Sequence, residues 1–132
     1  METTAHGPRE LSCSPLYRLA YNDIDSEGAE AFAPALAANA SLTDLKLEYN
    51  GLQDEGVTAV CKGIQSNKDT KLASLNISRN GVGPEGAKSV AAMVAVTASL
   101  TKIDVRLNAL GDDGKAALRK AVEGRSGFQL ML

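Results

Sequence analysis

Few side chains in this sequence could catalyse a reaction or bind a metal. The single histidine, His6, lies close to the N-terminus, and the two cysteines, Cys13 and Cys61, match no metal-ligand spacing. Cys61 is equivalent to Ala33 and Ala91 in the pattern described below. We therefore expect it to fill a small site beside a helix rather than to act as a nucleophile.

Two pairs of aspartates could form an acid–base pair, Asp23 with Asp25 and Asp112 with Asp113. Both pairs lie just before helical patterns, where carboxylates interact favourably with the positive end of the helix dipole. The sequence contains no Walker loop, no Gly-x-Ser-x-Gly and no Cys-x-x-Cys. We therefore predict a protein that is not an enzyme, with no catalytic residue, no metal site and no cofactor.

A repeated asparagine is the most informative feature of the sequence. Asn22, Asn50, Asn80 and Asn108 are separated by 28, 30 and 28 residues, and the last three each lie in the phrase L-x-x-L-x-L-x-x-N-x-L, with Ile or Val replacing some leucines. Self-similarity at this period is typical of a solenoid. The L-x-L alternation predicts a short strand, and we expect each Asn amide to hydrogen-bond the backbone of neighbouring repeats, as a structural ladder.

The second half of each repeat has apolar residues three and four positions apart, which predicts a helix packed on the strands. An acidic residue followed by glycine marks the expected helix starts: Glu27-Gly28, Glu55-Gly56, Glu85-Gly86 and Asp113-Gly114. We predict a flexible lead-in at 1–12 and one domain at 13–132. Its predicted repeats are about 14–41, 42–71, 72–99 and 100–127, with a closing strand at 128–132.

This pattern resembles the ribonuclease-inhibitor-like subfamily of leucine-rich repeat proteins, over about Ser14 to Gly127. The first repeat departs from it, because Ser14 and Tyr17 occupy its first two apolar positions. The resemblance implies an α/β solenoid in a right-handed arc, with a parallel sheet on the inner face and helices on the outer face. The family includes inhibitors, GTPase-activating proteins, actin-regulatory modules and immune sensors, so the fold alone does not decide the function.

The composition of the 132 residues argues against several classes of partner. The formal net charge is -2, and the basic residues do not cluster, so we expect neither a nucleic-acid nor a membrane interface. The three tyrosines and two phenylalanines offer little surface for base stacking. The sequence shows no signal peptide and no apolar run long enough to span a membrane, which favours a cytoplasmic or nuclear location.

The strand side of the solenoid is where we expect a protein partner to bind. Residues that flank the buried strand positions point outward, and one residue further the column before each Asn contains Tyr21, Tyr49, Arg79 and Leu107. Neighbouring strands lie about 4.8 Å apart, so Tyr49 could contact Tyr21, and Arg79 could stack on Tyr49. The alternative is that these are ordinary exposed side chains packing on one another. The predicted binding residues are Arg18, Tyr21, Lys46, Glu48, Tyr49, Asn76, Arg79, Asp104 and Arg106.

The outer face and the ends of the solenoid are alternative sites for a partner. In the third helix Ala92, Met93 and Val96 fall off the expected core-facing stripe, so the outer face is a second candidate. The ends of a solenoid expose apolar side chains, Leu130 and Leu132 at one end, which favours a homodimer or end-on docking in a complex. The alternative functions are a structural subunit of a larger assembly, or a fragment of a leucine-rich repeat receptor or GTPase regulator.

Overall fold

The structure of the protein is a computed structural model that describes residues 24–132 and the backbone of residues 16–18. The predicted lead-in at 1–12 lies outside the described residues, as do His6, Cys13, Tyr21, Asn22 and Asp23.

Strands and helices alternate along the whole described chain. The elements are β1 (Leu16–Arg18), α1 (Asp25–Ala38), β2 (Asp44–Lys46), α2 (Gln53–Ser66), β3 (Ser74–Asn76), α3 (Pro84–Val96), β4 (Lys102–Asp104), α4 (Gly111–Ala121) and β5 (Gln129–Met131). The five strands form one parallel sheet in chain order. The predicted α/β solenoid is thereby confirmed.

In β2, β3 and β4 the middle residue points into the core between sheet and helices. Leu45, Leu75 and Ile103 are in register and fully buried, as the alternation predicts. Leu130 of β5 continues this row and pairs with Ile103. Leu130 and Leu132 are only partly buried, but both pack against the core, which is the orientation expected from their alternation.

The repeats are joined by the side chains of the repeated asparagines. The Oδ1 atom of Asn80 accepts hydrogen bonds from the backbone N–H groups of Asn50 (2.8 Å) and Leu52 (3.2 Å), one repeat earlier. Its Nδ2 atom donates to the carbonyls of Leu47 (3.0 Å) and Ile77 (3.1 Å). Asn108 makes the equivalent bonds to the repeat that contains Asn80. Each asparagine thus satisfies backbone groups of two repeats.

In α2, α3 and α4 a glycine in the first turn allows the preceding helix to approach closely. A Cβ atom on Gly86 would lie 2.5 Å from Oδ1 of Asp54 and 2.7 Å from Cγ1 of Val82. The same Asp54 oxygen accepts the backbone N–H groups of Gly83 (2.6 Å) and Gly86 (3.1 Å), so it caps α3 from the preceding repeat. Pro84 begins α3, and the other helices begin two residues before their predicted starts.

One prediction about the outer face is wrong. Met93 is fully buried, although helical spacing placed it off the core-facing stripe. The reason is that α3 packs against α2 and α4 as well as the sheet, so more than one stripe of its surface is covered. Ala92 and Val96 are exposed as expected.

Replacing Asn80 with Ala should lower the free energy of unfolding by about 1–3 kcal/mol, because buried backbone groups lose their hydrogen-bond partners. Asn108→Ala should cost less, since Asn108 is partly exposed and water can replace its amide. Chemical denaturation measures both. A loss below a few tenths of a kcal/mol for Asn80→Ala would show that the buried asparagine does not hold the repeats together. Equal losses in the two variants would show that water does not replace the amide of Asn108.

Candidate functional site

After each of the strands β2, β3 and β4 the chain bends, and one side chain projects from each bend. Tyr49, Arg79 and Leu107 each precede a ladder asparagine and have left-handed backbone φ angles of 60°, 56° and 60°. This conformation is unfavourable for residues other than glycine. It is held in place by neighbouring repeats, since the N–H of Tyr49 donates to the carbonyl of Ser78 (3.0 Å) and that of Arg79 to the carbonyl of Arg106 (3.1 Å).

These three residues, here called the exposed column, combine a cation with two apolar groups. Tyr49 is 56% exposed and Leu107 is 67% exposed, and the exposed Arg79 lies between them in the register of the strands. Among the described residues, the Arg79 side chain makes no hydrogen bond or ion pair. The cation–π contact found in the described part of the chain joins Arg125 to Phe128 (4.9 Å), so the predicted stacking of Arg79 on Tyr49 is not observed.

An open depression of about 570 Å³ lies on the strand side next to the exposed column. Five of the predicted binding residues line it: Glu48, Asn76, Arg79, Asp104 and Arg106. Ser78, Leu107 and Leu132 also line it and were not in the predicted set. Leu107 could have been included from its position in the column, whereas Leu132 required the register of β5.

The other predicted binding residues lie apart from this depression or beyond the described side chains. The ammonium of Lys46 lies 3.8 Å from the carboxylate of Asp44, its neighbour on β2. The backbone of Arg18 is in register with Lys46, and Tyr21 lies outside the described residues.

The prediction that the side chain of Asp104 is exposed is wrong. Asp104 is only 6% exposed, because the guanidinium of Arg106 binds its carboxylate through Nε (3.0 Å) and Nη2 (2.9 Å). The backbone N–H of Arg106 donates to the same carboxylate at 3.1 Å. Burial alone would raise the pKa of Asp104, but the hydrogen bonds and positive charge of Arg106, together with Lys102, outweigh it and lower the pKa. The charge of Arg106 is therefore largely engaged within the chain.

The described side chains that could take part in catalysis lie in places that do not suit it. Cys61 is buried, and burial raises the pKa of its thiol to about 12, which leaves it protonated and unreactive at neutral pH. Asp112 and Asp113 lie in the first turn of α4, where acidic side chains suit the helix dipole. The described residues include no group of three or more His, Cys, Asp or Glu placed to hold a metal ion. None of the described helices is long and apolar enough to cross a membrane.

Comparison with known protein families identifies the fold. A leucine-rich repeat model matches residues 18–33, 38–61, 68–91 and 98–118, which is more than half of the chain. The chain belongs to the leucine-rich repeat family. Mouse ribonuclease inhibitor is 32% identical over 101 residues, covering 76% of this chain and 22% of the relative. The ribonuclease-inhibitor-like type of repeat is thereby confirmed.

One further relative and one solved structure extend the comparison. The RAN GTPase-activating protein 2 of Arabidopsis thaliana is 30% identical over 111 residues, covering 83% of this chain and 20% of the relative. The chain thus spans about a fifth of the length of these relatives. The structure of leiomodin-1 actin-binding site 2 superposes with a TM-score of 0.79 at 17% identity, covering 98% of this chain and 76% of that one. At this identity the likeness concerns the fold alone.

Replacing Asp104 with Asn should destabilise the protein at neutral pH and much less in acid. A carboxyl group whose pKa is lowered by folding contributes stability above its ordinary pKa of 3.8, and this contribution is lost as the pH falls through the lower folded value. Denaturation at pH 7 and at about pH 3 measures the difference from the unmodified protein. Glu85→Gln is the control, since Glu85 is 80% exposed where it pairs with Lys88. A difference for Asp104→Asn that does not change with pH would contradict this assignment.

Proposed function

We propose that this chain is a non-enzymatic protein-interaction module that binds a partner protein through its strand-side face. The observation that carries the proposal is the exposed column. Three large apolar side chains are exposed among the described residues, and two of them, Tyr49 and Leu107, flank Arg79. Tyr and Arg are enriched among residues that dominate binding energy, and an apolar group beside them excludes water from the contact.

The charges on this face favour a partner that presents a carboxylate between apolar groups. Arg106 already forms two hydrogen bonds to Asp104, whereas the guanidinium of Arg79 is not engaged by any described side chain. An Asp or Glu side chain of the partner would pair with Arg79, and its apolar neighbours would contact Tyr49 and Leu107. Such a carboxylate can form two parallel hydrogen bonds with one guanidinium.

The remaining predicted residues extend this surface in the proposal. Glu48 and Asn76 line the depression with the Asp104–Arg106 pair, and Lys46, Arg18 and Tyr21 would continue the contact toward β1. The names of the relatives support a protein as the partner, since one is an inhibitor of ribonuclease and another carries an actin-binding site. The buried free thiol of Cys61 fits a cytoplasmic or nuclear protein.

A second candidate function is a structural part of a larger assembly, docked through its end. Leu130 holds the core-facing register of the sheet but is only partly buried, and Phe128 and Leu132 beside it are also partly buried. A second copy or another subunit that covered β5 would bury these side chains. A part of a leucine-rich repeat receptor or GTPase regulator would also have this edge covered, and the short coverage of the relatives supports that interpretation.

The exposed column can be tested with substitutions that suit its backbone. Asn tolerates the left-handed conformation, so Tyr49→Asn, Arg79→Asn and Leu107→Asn should leave the melting temperature nearly unchanged. Each should weaken binding of a captured partner by about 1–2 kcal/mol. Ala92→Asn on the exposed side of α3 is the matched control. Unchanged binding in all three variants, with loss in a Val96→Asn variant, would place the site on the helical side.

The end-docking alternative predicts self-association or dependence on a subunit. At about 25 cal/mol per Å², a few hundred Å² of apolar surface is comparable to the stability of a small domain. We therefore expect a dimer in light scattering that dissociates on dilution. Leu130→Lys, on the partly buried edge strand, should shift the equilibrium to monomer. A cooperatively melting monomer at every concentration would exclude the homodimer.

A further inference from the structure

The C-terminal ends of the helices form a second series of equivalent positions. Asn39, Asn67, Thr97 and Arg125 follow α1, α2, α3 and α4, and they are separated by 28, 30 and 28 residues. The last carbonyls of a helix have no partner within it, so these positions lie where hydrogen-bond donors are needed. Unlike the ladder asparagines, the residues of this series differ in type.

At two of the three junctions between repeats, a side chain from the following repeat supplies these donors. The Nδ2 atom of Asn67 donates to the carbonyls of Leu36 (2.9 Å) and Asn39. The guanidinium of Arg125 donates to the equivalent carbonyls two repeats later, those of Val94 (2.6 Å) and Thr97 (3.1 Å). A side-chain amide or guanidinium is therefore the donor group that this site accepts within the chain itself.

At the middle junction, between α2 and α3, no described side chain supplies such a donor. The hydroxyl of Thr97 turns back and donates to the carbonyl of Met93 in its own helix (2.7 Å). The carbonyls of Ile64 and Asn67 accept backbone N–H groups at 3.1 Å and 3.4 Å, but no described side chain donates to them. A groove of about 350 Å³ lies at this position, lined by Ile64, Asn67, Thr97 and the 66% exposed Val96.

We propose that this groove, here called the middle groove, is a second protein-binding site that receives an arginine side chain of a partner. The guanidinium would donate to the carbonyls of Ile64 and Asn67, as Arg125 does one junction away, and its neighbours would pack on Val96. The last turn of α2 contains no basic residue, so the negative end of its dipole favours a cation there. The site is independent of the strand-side face and would stand if that face bound nothing.

One positively charged side chain, Lys68, already lies beside the middle groove. Lys68 lines the groove but is exposed and donates no hydrogen bond to these carbonyls. An arginine suits these carbonyls because Arg125 bonds the equivalent pair at the next junction, and its planar guanidinium can bond two carbonyls at once.

The test uses nuclear magnetic resonance of the isotope-labelled protein and two matched peptides. Acetyl-Leu-Arg-amide is expected to shift the backbone amide signals of residues 64–70 and 96–99 in a saturable way, and acetyl-Leu-Glu-amide is not. Two variants at an exposed position separate charge from packing: Val96→Glu and Val96→Lys. The arginine peptide should bind Val96→Glu about tenfold or more tightly than Val96→Lys, because the charge beside the guanidinium is reversed.

Several results would overturn the proposal. These are shifts that are equal for the two peptides, shifts that map to the strand-side face alone, no shift across the millimolar range, or equal affinities for the two variants. Lys68→Ala provides a second measurement. If Lys68 itself fills the groove in solution, this variant should lower the melting temperature and create arginine-peptide binding that the unmodified protein lacks, which would also contradict the proposal.

Discussion

In the bends after β2 and β3, backbone N–H groups find their hydrogen-bond acceptor in the next repeat, and the rest of the structure depends on this pairing. An asparagine of the following repeat accepts two of them at once, as Asn80 does for Asn50 and Leu52. A repeat with a three-residue strand and one helix is therefore incomplete alone. Stability comes from contacts between neighbours, which is the general property of solenoid proteins.

The same constraint determines where side chains can project toward a partner. The left-handed conformation at Tyr49, Arg79 and Leu107 recurs in three repeats, so it belongs to the fold and not to any one side chain. The backbone N–H groups of Tyr49 and Arg79 donate to carbonyls of the next repeat, so little backbone freedom remains to be lost there on binding. The fold thus sets the positions of the exposed column, and the sequence sets its chemistry.

The sequence predicted the features that recur in every repeat. It missed those that depend on the contacts of one particular side chain or on the distance between helices. The alternation placed Leu45, Leu75 and Ile103 in the core, and the asparagine spacing placed the bends. The burial of Asp104 was missed because it depends on how the flexible Arg106 folds back over it. The role of the first-turn glycines was missed because spacing alone does not give the distance between adjacent helices.

The two series of equivalent positions differ in a way that bears on function. The bend after the strand contains an asparagine in every repeat, and its amide oxygen accepts two N–H groups while its amide nitrogen donates to carbonyls, as at Asn80. The series at the helix ends contains Asn39, Asn67, Thr97 and Arg125, so the need for donors there is met in different ways. Because different side chains can donate to these helix-end carbonyls, a partner protein can supply the donor at a repeat that has none. Variation among equivalent positions therefore identifies the surfaces on which a repeat protein can acquire a partner without losing its fold.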